Sequence, residues 1–468
     1  MDPLRETVRS RFALFVALLF FWSAVPAAAA TAEGAANDAV SHVVVVSVDG
    51  LMPDAYVSPD AHGLQVPTLR EMARDGAWSE GALSVFPTVT YPAHTSIATG
   101  TNPAAHGIVS NVSFDPTGRN NRGWRWYTQD IQAPTLWNAA RGAGLATALI
   151  WWPVTVGARA SALVPEIWRS GTEEDVKLLR ALSTPGILEA VENRFPSFRA
   201  GLTPPKVKDE SLTDIAVHLI ESLRPNLLML HMAQVDSEQH LHGPFSPGAG
   251  RAVENADRQI ARLIAAAKSA AIWERTVLVV VSDHGFAPVS QRVRPGVLLA
   301  QKGLVTLNAR NRVTDWKAAV ASNGGHAYVY LKEAADAATA KVLLDIFMPL
   351  PGRQGSGIGR VYTQEEIRRR GGDPSAFLAL EGAGGFAMLD GYSGDYIAPS
   401  LQLGQHGYGP ERPDMRASLL VYGPPVAPGK IEAARLIDVA PTIAGWLGFK
   451  MPTAEGAPLP IRLRSKPR

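Results

Sequence analysis

The sequence predicts an α/β fold: a doubly wound, mostly parallel sheet flanked by helices. Three apolar runs, over 42–48, 226–231 and 276–282, carry that prediction. They are continuous rather than alternating, as in strands buried on both faces of a parallel sheet. Each leads into an acid, Asp49, Asp236 and Asp283 in turn. The carboxyl ends of strands line the ligand crevice in open α/β sheets. Helical patterns alternate with the strands, the arrangement of a doubly wound core.

Composition narrows the field. The 468 residues are enough for two or three domain-sized units. A net charge of +2 with 46% hydrophobic residues gives neither disorder nor the electrostatic footprint of a nucleic-acid binder. There is no cysteine, hence no disulfide, thiolate metal site, Cys nucleophile or Cys-linked lipid. Any metal must be held by His, Asp or Glu. Arg5, Arg9 and Arg11 precede an apolar stretch over 12–22, and Pro26 leads into four alanines ending at Ala30. That is the pattern of a secretory signal peptide over 1–30, cleaved near Ala28 to Ala30. No later run is long and apolar enough to span a bilayer. The expectation is an exported chain, periplasmic or secreted, with no membrane span after cleavage.

The elements follow in order. After the strand at 42–48, a helix is expected over 67–74, ended by Asp75-Gly76. The stretch 86–111 comes next, with a short helix over 92–99. Pro92 suits the first helical position and Gly100 the position past the end. A helix over 133–144 and a strand over 145–152 follow. Residues 155–205, rich in proline, yield no clear elements. A helix over 212–223, the second acid-ended strand, a long helix over 249–271 and the third acid-ended strand complete the first part of the core. Glycine-rich pieces and short strands over 287–400 read as a smaller α+β insertion, or cap, domain. The core spans 40–286 and 401–450, with a strand over 417–422 and a helix over 438–447. There Asp438 is expected as N-cap and Gly448 as the stop. Residues 451–468 form a tail.

Within 86–111, Thr90 precedes the free N–H groups of a helix start, where the dipole favours a phosphate or sulfate. By itself the stretch reads first as a capping turn. The wider pattern adds His240, four residues after Asp236, then His284 beside Asp283, and His406 in a Gln-His-Gly turn. Carboxylates and imidazoles without thiolates suit zinc, and manganese or iron less well. His242 competes with His240 as a ligand by chemistry alone. His94, His106 and His326 read as structural.

These residues carry a family resemblance. Val48-Asp49-Gly50, Thr90-Tyr-Pro-Ala-His94, Asp236-Ser-Glu-Gln-His240 ahead of Gly243-Pro244, Ser282-Asp283-His284-Gly285 and His406-Gly-Tyr408 share the order and spacing of one motif set. It resembles that of the nucleotide pyrophosphatase/phosphodiesterases of the alkaline phosphatase superfamily. Thr99-Gly100, His106-Gly107-Ile108, Trp151-Trp152-Pro153 and Asp438-Val-Ala-Pro-Thr442 extend the likeness over most of 43–448. It is loosest over 287–400. The resemblance implies an alkaline phosphatase-like sheet and two divalent metal ions, expected to be Zn2+. Asp49, Asp283, His284 and the Thr90 hydroxyl would hold one, and Asp236, His240 and His406 the other, with His242 outside. It further implies Thr90 as a nucleophile forming a phospho-threonine intermediate. Asn111 would be the amide that hydrogen-bonds a non-bridging phosphoryl oxygen.

Neutral Asn111, where monoesterases of the superfamily offer a cation, favours a phosphate diester or nucleotide as the small-molecule substrate. A sulfatase is excluded, since its modified nucleophile needs Cys or Ser followed by x-Pro-x-Arg. A phosphonoacetate-type phosphonate hydrolase or a phosphomonoesterase on the same site is the enzymatic alternative. Basic residues at the pocket would favour it, and aromatic walls would favour a nucleotide base. Phe114, Trp124, Trp126 and Tyr127 crowd the segment after Asn111, and Trp151 or Trp152 reads as core. The alternative from another class is a non-catalytic metal-binding recognition protein on this fold. Oligomeric state is not legible.

Overall fold

The computed structural model describes residues 39–119, 123–202 and 207–464. The signal peptide expected over 1–30 lies outside the described residues, as does the last part of the tail, 465–468. No helix among the described residues is long and apolar enough to cross a membrane.

The first strand, β1 (His42–Val48), is the centre of the architecture. Its valines alternate between two cores: Val44, Val46 and Val48 face one layer of helices, Val43 and Val45 the other. Full burial of one such side chain contributes roughly 1.5 kcal/mol or more. That drives the strand to the middle of a sheet covered on both faces. The same sheet holds β2 (Ala77–Trp78), β3 (Thr147–Ile150), β4 (Ala162–Val164), β5 (Leu227–Met232) and β6 (Thr276–Val281). Its order is 429–430, β2, 419–422, β6, β1, β5, β3, β4. β1 pairs in parallel with both β5 and β6, Val46 lying opposite Leu230 on one side and Val280 on the other. Among the described residues of this sheet, only the strand Leu419–Tyr422 runs antiparallel to both its neighbours. The expected α/β architecture is therefore present. Helices Pro67–Asp75, Asp209–Ser222 and Pro247–Ser269 cover one face, and Thr90–Thr99, Leu136–Gly142 and Val439–Trp446 the other.

Several boundaries differ from expectation for physical reasons. The helix expected from Pro92 begins at Thr90, because Val89 is already extended and serves as the N-cap residue. Pro92 is then third in the helix, where its missing N–H still costs no intrahelical bond. The strand expected to reach Trp152 ends at Ile150, since Trp151 turns into the left-handed region at φ 54°. Thr135 caps the following helix through its hydroxyl, so that helix starts at Leu136. Asp438 stands at the N-cap position without capping; its carboxylate accepts from the N–H groups of Arg435 and Ala457 instead.

Residues 287–400 carry smaller sheets. One is antiparallel, ordered Ala318–Asn323, His326–Leu331, Leu378–Gly382, Ile358–Thr363. Its first turn grips the His406 loop: Gly325 N–H donates to His406 O at 2.6 Å, and His326 Nδ1 lies 2.7 Å from Gly407 O. Residues of the expected tail are also engaged. The N–H groups of Glu455 and Gly456 both donate to Gly100 O, at the end of the Thr90–Thr99 helix.

Candidate active site

β1 and β6 lie side by side and end together, so Asp49 and Asp283 leave the sheet next to each other. Asp49, Asp283 and His284 bring one ligand atom each to within 4.8 Å of one another, all buried. His284 Nε2 lies 3.4 Å from Asp49 Oδ1 and 3.1 Å from Asp283 Oδ2. Gly50 supports the turn: it sits at φ +68°, and a Cβ there would meet the Phe286 ring at 2.9 Å.

The second group uses different elements. Asp236 is not at a strand end. It occupies the first turn of the helix Gln234–His242 that follows β5, and His240 sits one turn later on the same face. His240 Nε2 lies 3.3 Å from Asp236 Oδ1, and His406 Nε2 lies 3.6 Å from the same oxygen. Asp236, His240 and His406 form a second set of ligand atoms within 4.8 Å. The rings of His284 and His406 stack at 3.6 Å and 8°, joining the two groups. His242 is half exposed and faces Glu238, outside both groups.

Both groups fit divalent cations. Asp49 Oδ1, Asp236 Oδ1, Asp283 Oδ2 and His284 Nε2 are buried without a hydrogen-bond partner among the described residues. Such orphaned atoms are costly unless an ion binds them. Each imidazole is oriented from behind by a carbonyl on Nδ1: Gly404 O for His240, Gly285 O for His284 and Thr88 O for His406. That leaves Nε2 for a metal, the usual outer-shell arrangement. Charge crowding points the same way. Burial, then the charges of Asp283 and Asp236, push the Asp49 carboxyl well above its ordinary range. Burial acts likewise on Asp283, but the imidazoles of His284 and His94 outweigh it and hold that carboxyl low. Asp236 is lowered to about 2, burial being overcome mainly by His240.

Thr90 opens its helix at the wall of a cavity of about 310 Å³ that also exposes Asp49, Asp236 and His240. Asn111 accepts the Tyr91 N–H on its Oδ1 at 2.8 Å. That bond occupies the Asn111 carbonyl oxygen and identifies the other amide atom as the nitrogen. His94 is fully buried, its ring between Ser47 Oγ and Thr90 O, each at 2.8 Å. His106 bonds Ser96, and His326 bonds the carbonyl of Gly407.

Tyr91, Trp124, Trp151 and Trp168 are aromatic members of the cavity lining, and no Lys or Arg lines it among the described residues. Trp124 meets Tyr91 at 5.2 Å and Trp168 at 4.6 Å, both edge to face. Trp152 is core, as expected, and Trp151 is buried but borders the cavity. Sequence reasoning missed Trp168, Glu166 and His231. His231 Nε2 lies 3.0 Å from Asp49 Oδ2, buttressing that carboxylate. Its Nδ1 lies 3.1 Å from Trp151 O and 3.9 Å from Glu166 Oε2. Burial pushes the Glu166 carboxyl up to about 8. Glu166 and Trp168 fall in the proline-rich stretch where no periodicity pointed inward; His231 was visible only as the end of a strand.

The sequence matches the family model for type I phosphodiesterase / nucleotide pyrophosphatase over residues 43–410. Bis(5'-adenosyl)-triphosphatase ENPP4 of Bos taurus is 26% identical over 421 residues, covering 87% of this chain and 78% of that protein. Ectonucleotide pyrophosphatase/phosphodiesterase family member 1 of Homo sapiens is 25% identical over 228 residues, covering 47% and 21%. Human ectonucleotide pyrophosphatase/phosphodiesterase 5 shares the fold with a TM-score of 0.62 at 21% identity, covering 89% of this chain and 97% of that one. An inactive form of its murine counterpart, solved in complex with AMP, gives 0.60 at 21% identity over the same shares.

Proposed function

The chain belongs to the type I phosphodiesterase / nucleotide pyrophosphatase family and is a phosphodiester hydrolase, and on that premise we propose that it cleaves nucleotide-type diesters and pyrophosphates with Thr90 as nucleophile. The observation that carries this reading is the character of the cavity beside Thr90. Its described walls offer aromatic rings and no cationic side chain. Among the described residues a dianionic monoester or phosphonoacetate would meet acids with no compensating Arg or Lys, whereas a diester carries one charge less at the reacting phosphorus and a base can lie against the rings.

Two divalent cations, zinc by donor chemistry, would be held by Asp49, Asp283, His284 and the Thr90 hydroxyl, and by Asp236, His240 and His406. When bound, they supply a lowered hydroxyl pKa and charge neutralisation at the attacking and leaving oxygens. The chain's own groups do the rest. Thr90 Oγ1 gives up its proton and forms a bond to phosphorus as the opposite P–O bond breaks, and the leaving alkoxide or phosphate takes up one proton, so that the step balances. Asn111 donates its amide N–H to a non-bridging oxygen, where charge accumulates. His231 keeps Asp49 oriented. Water then attacks the phospho-threonine, restoring the Thr90 hydroxyl and releasing a phosphomonoester. The basic and apolar leader over 1–30 supports export, to the periplasm or outside the cell; mass analysis of mature protein still beginning at Met1 would argue against it.

The test is a side-by-side assay of bis(p-nitrophenyl) phosphate, p-nitrophenyl phosphate, ATP and phosphonoacetate with zinc supplied. Diester and nucleotide should turn over fastest. Fastest cleavage of the monoester or of phosphonoacetate would overturn the reading in favour of that chemistry.

A further inference from the structure

Asn111 sits on a two-stranded wall with two different sides. Val112 pairs antiparallel with Trp124, Ser113 N–H donates to Gly123 O at 3.1 Å, and Arg125 N–H donates to Asn111 O at 2.9 Å. Trp124 enters the catalytic cavity, while Ser110, Val112 and Arg125 line a second cavity of about 330 Å³. The strand Ala318–Asn323 closes its far side through Val320, Ala321 and Ser322.

This second cavity holds polar groups with nothing to bind. Arg125 Nε and Ser322 Oγ are both buried with no hydrogen-bond partner among the described residues. An Nε left so is costly unless an acceptor arrives, and the planar fork of a guanidinium matches a carboxylate. Other polar members of the wall are already engaged. Asp373 accepts from Tyr330 Oη at 2.8 Å and from Ser375 N and Oγ at 2.8 and 2.6 Å, and Asp390 Oδ1 accepts from Ser322 N at 3.0 Å. An apolar face completes the cavity: Phe114 is about one-third exposed and its ring centre lies 4.1 Å from that of Tyr330.

We propose that this cavity is a binding site for a small organic monocarboxylate with a flat apolar body. Its carboxylate would sit on Arg125 and Ser322, and its body against Phe114 and Tyr330. The site lies behind Asn111, separate from the metal groups, and takes a ligand of a different class from the substrate.

Benzoate is the probe, measured by calorimetry on the zinc-loaded full chain. Saturable binding is expected, with benzamide, its uncharged analogue, at least tenfold weaker. Arg125→Gln should weaken benzoate at least tenfold while leaving hydrolysis of bis(p-nitrophenyl) phosphate unchanged. Ser322→Leu, which fills the cavity, should abolish binding and serves if the arginine variant fails to fold. The assignment is overturned by absence of saturable benzoate binding, by binding that survives both substitutions, or by displacement of benzoate by AMP in simple competition. Tighter binding of inorganic phosphate than of benzoate would overturn the carboxylate class.

Discussion

The two groups of ligand atoms are chemically alike and mechanically different. Asp49, Asp283 and His284 are buried and stand at the ends of the two innermost parallel strands, where the backbone is locked by pairing on both sides. Asp236, His240 and His406 come from one short helix and one loop, and the side chains of Asp236 and His240 are each 17% exposed. The difference teaches that one half of the site is fixed by the sheet itself. The other is assembled by elements lying beyond the sheet and gripped from 287–400. The first should behave as a permanent fixture and the second as an exchangeable seat.

The largest effect belongs to neither group. Thr90→Ala should lower turnover of bis(p-nitrophenyl) phosphate by roughly 10⁴-fold or more, as expected for a nucleophile acting in a unit with its neighbours. Metal content by mass spectrometry should remain near the wild-type level; activity within tenfold of wild type would remove Thr90 from its role. Asn111→Ala should cost about 10²–10³-fold in kcat, the scale of one lost donor to a developing charge. An unchanged kcat would show that the amide faces away from the phosphoryl group. Single ligand replacements test the comparison directly. Asp283→Asn and His240→Ala should each weaken one zinc equivalent by more than the 10–100-fold typical of outer-shell partners. Calorimetry should find the slowly exchanging equivalent missing only in Asp283→Asn, and its loss in His240→Ala instead would reverse the assignment.

Burial on the Asp49 side has a pH signature. Glu166 is raised from an ordinary 4.5 to about 8 by burial. Between those values the unfolded chain loses this proton while the folded chain keeps it, so stability falls as pH rises through the window. Glu166→Gln removes the effect. Urea denaturation should show the wild type losing roughly 3 kcal/mol relative to the variant between about pH 5 and 7.5. Parallel pH profiles would mean that Glu166 is ionised in the folded protein. The smallest effect is kinetic. A chelator should strip zinc in two phases separated by about tenfold, the faster from the Asp236 group, consistent with lower local stability outside the sheet. A single phase would erase the distinction between the groups.

Much of this was legible in the residues because the strands that carry Asp49 and Asp283 are continuous valine-rich runs, whose burial leaves little choice of location. The pairing of Asp236 with His240 was legible as a spacing of four, although the acid's seat on a helix instead of a strand end was not. That distinction depends on where β5 stops, which tertiary packing decides. Glu166, Trp168 and His231 escaped notice for a related reason. A buried carboxyl next to an imidazole exists only once β4 and β5 share a sheet, and nothing within ten residues of either position signals it. Asn111 was visible through its motif, but the Tyr91 N–H that orients it is a contact twenty residues away.

One feature at the far side of the Thr90–Thr99 helix has a bearing on how the protein can be handled. Gly100, left-handed at φ +71°, ends that helix, and its carbonyl is capped by Glu455 and Gly456. Asn102 is clasped by the same glutamate, 353 positions later. The helix that Thr90 opens is thus finished by residues synthesised after nearly everything else in the fold. A polypeptide truncated before Glu455, or nicked there by a protease, keeps Thr90 and both groups of acids and imidazoles while losing the clamp at the far end of the Thr90–Thr99 helix.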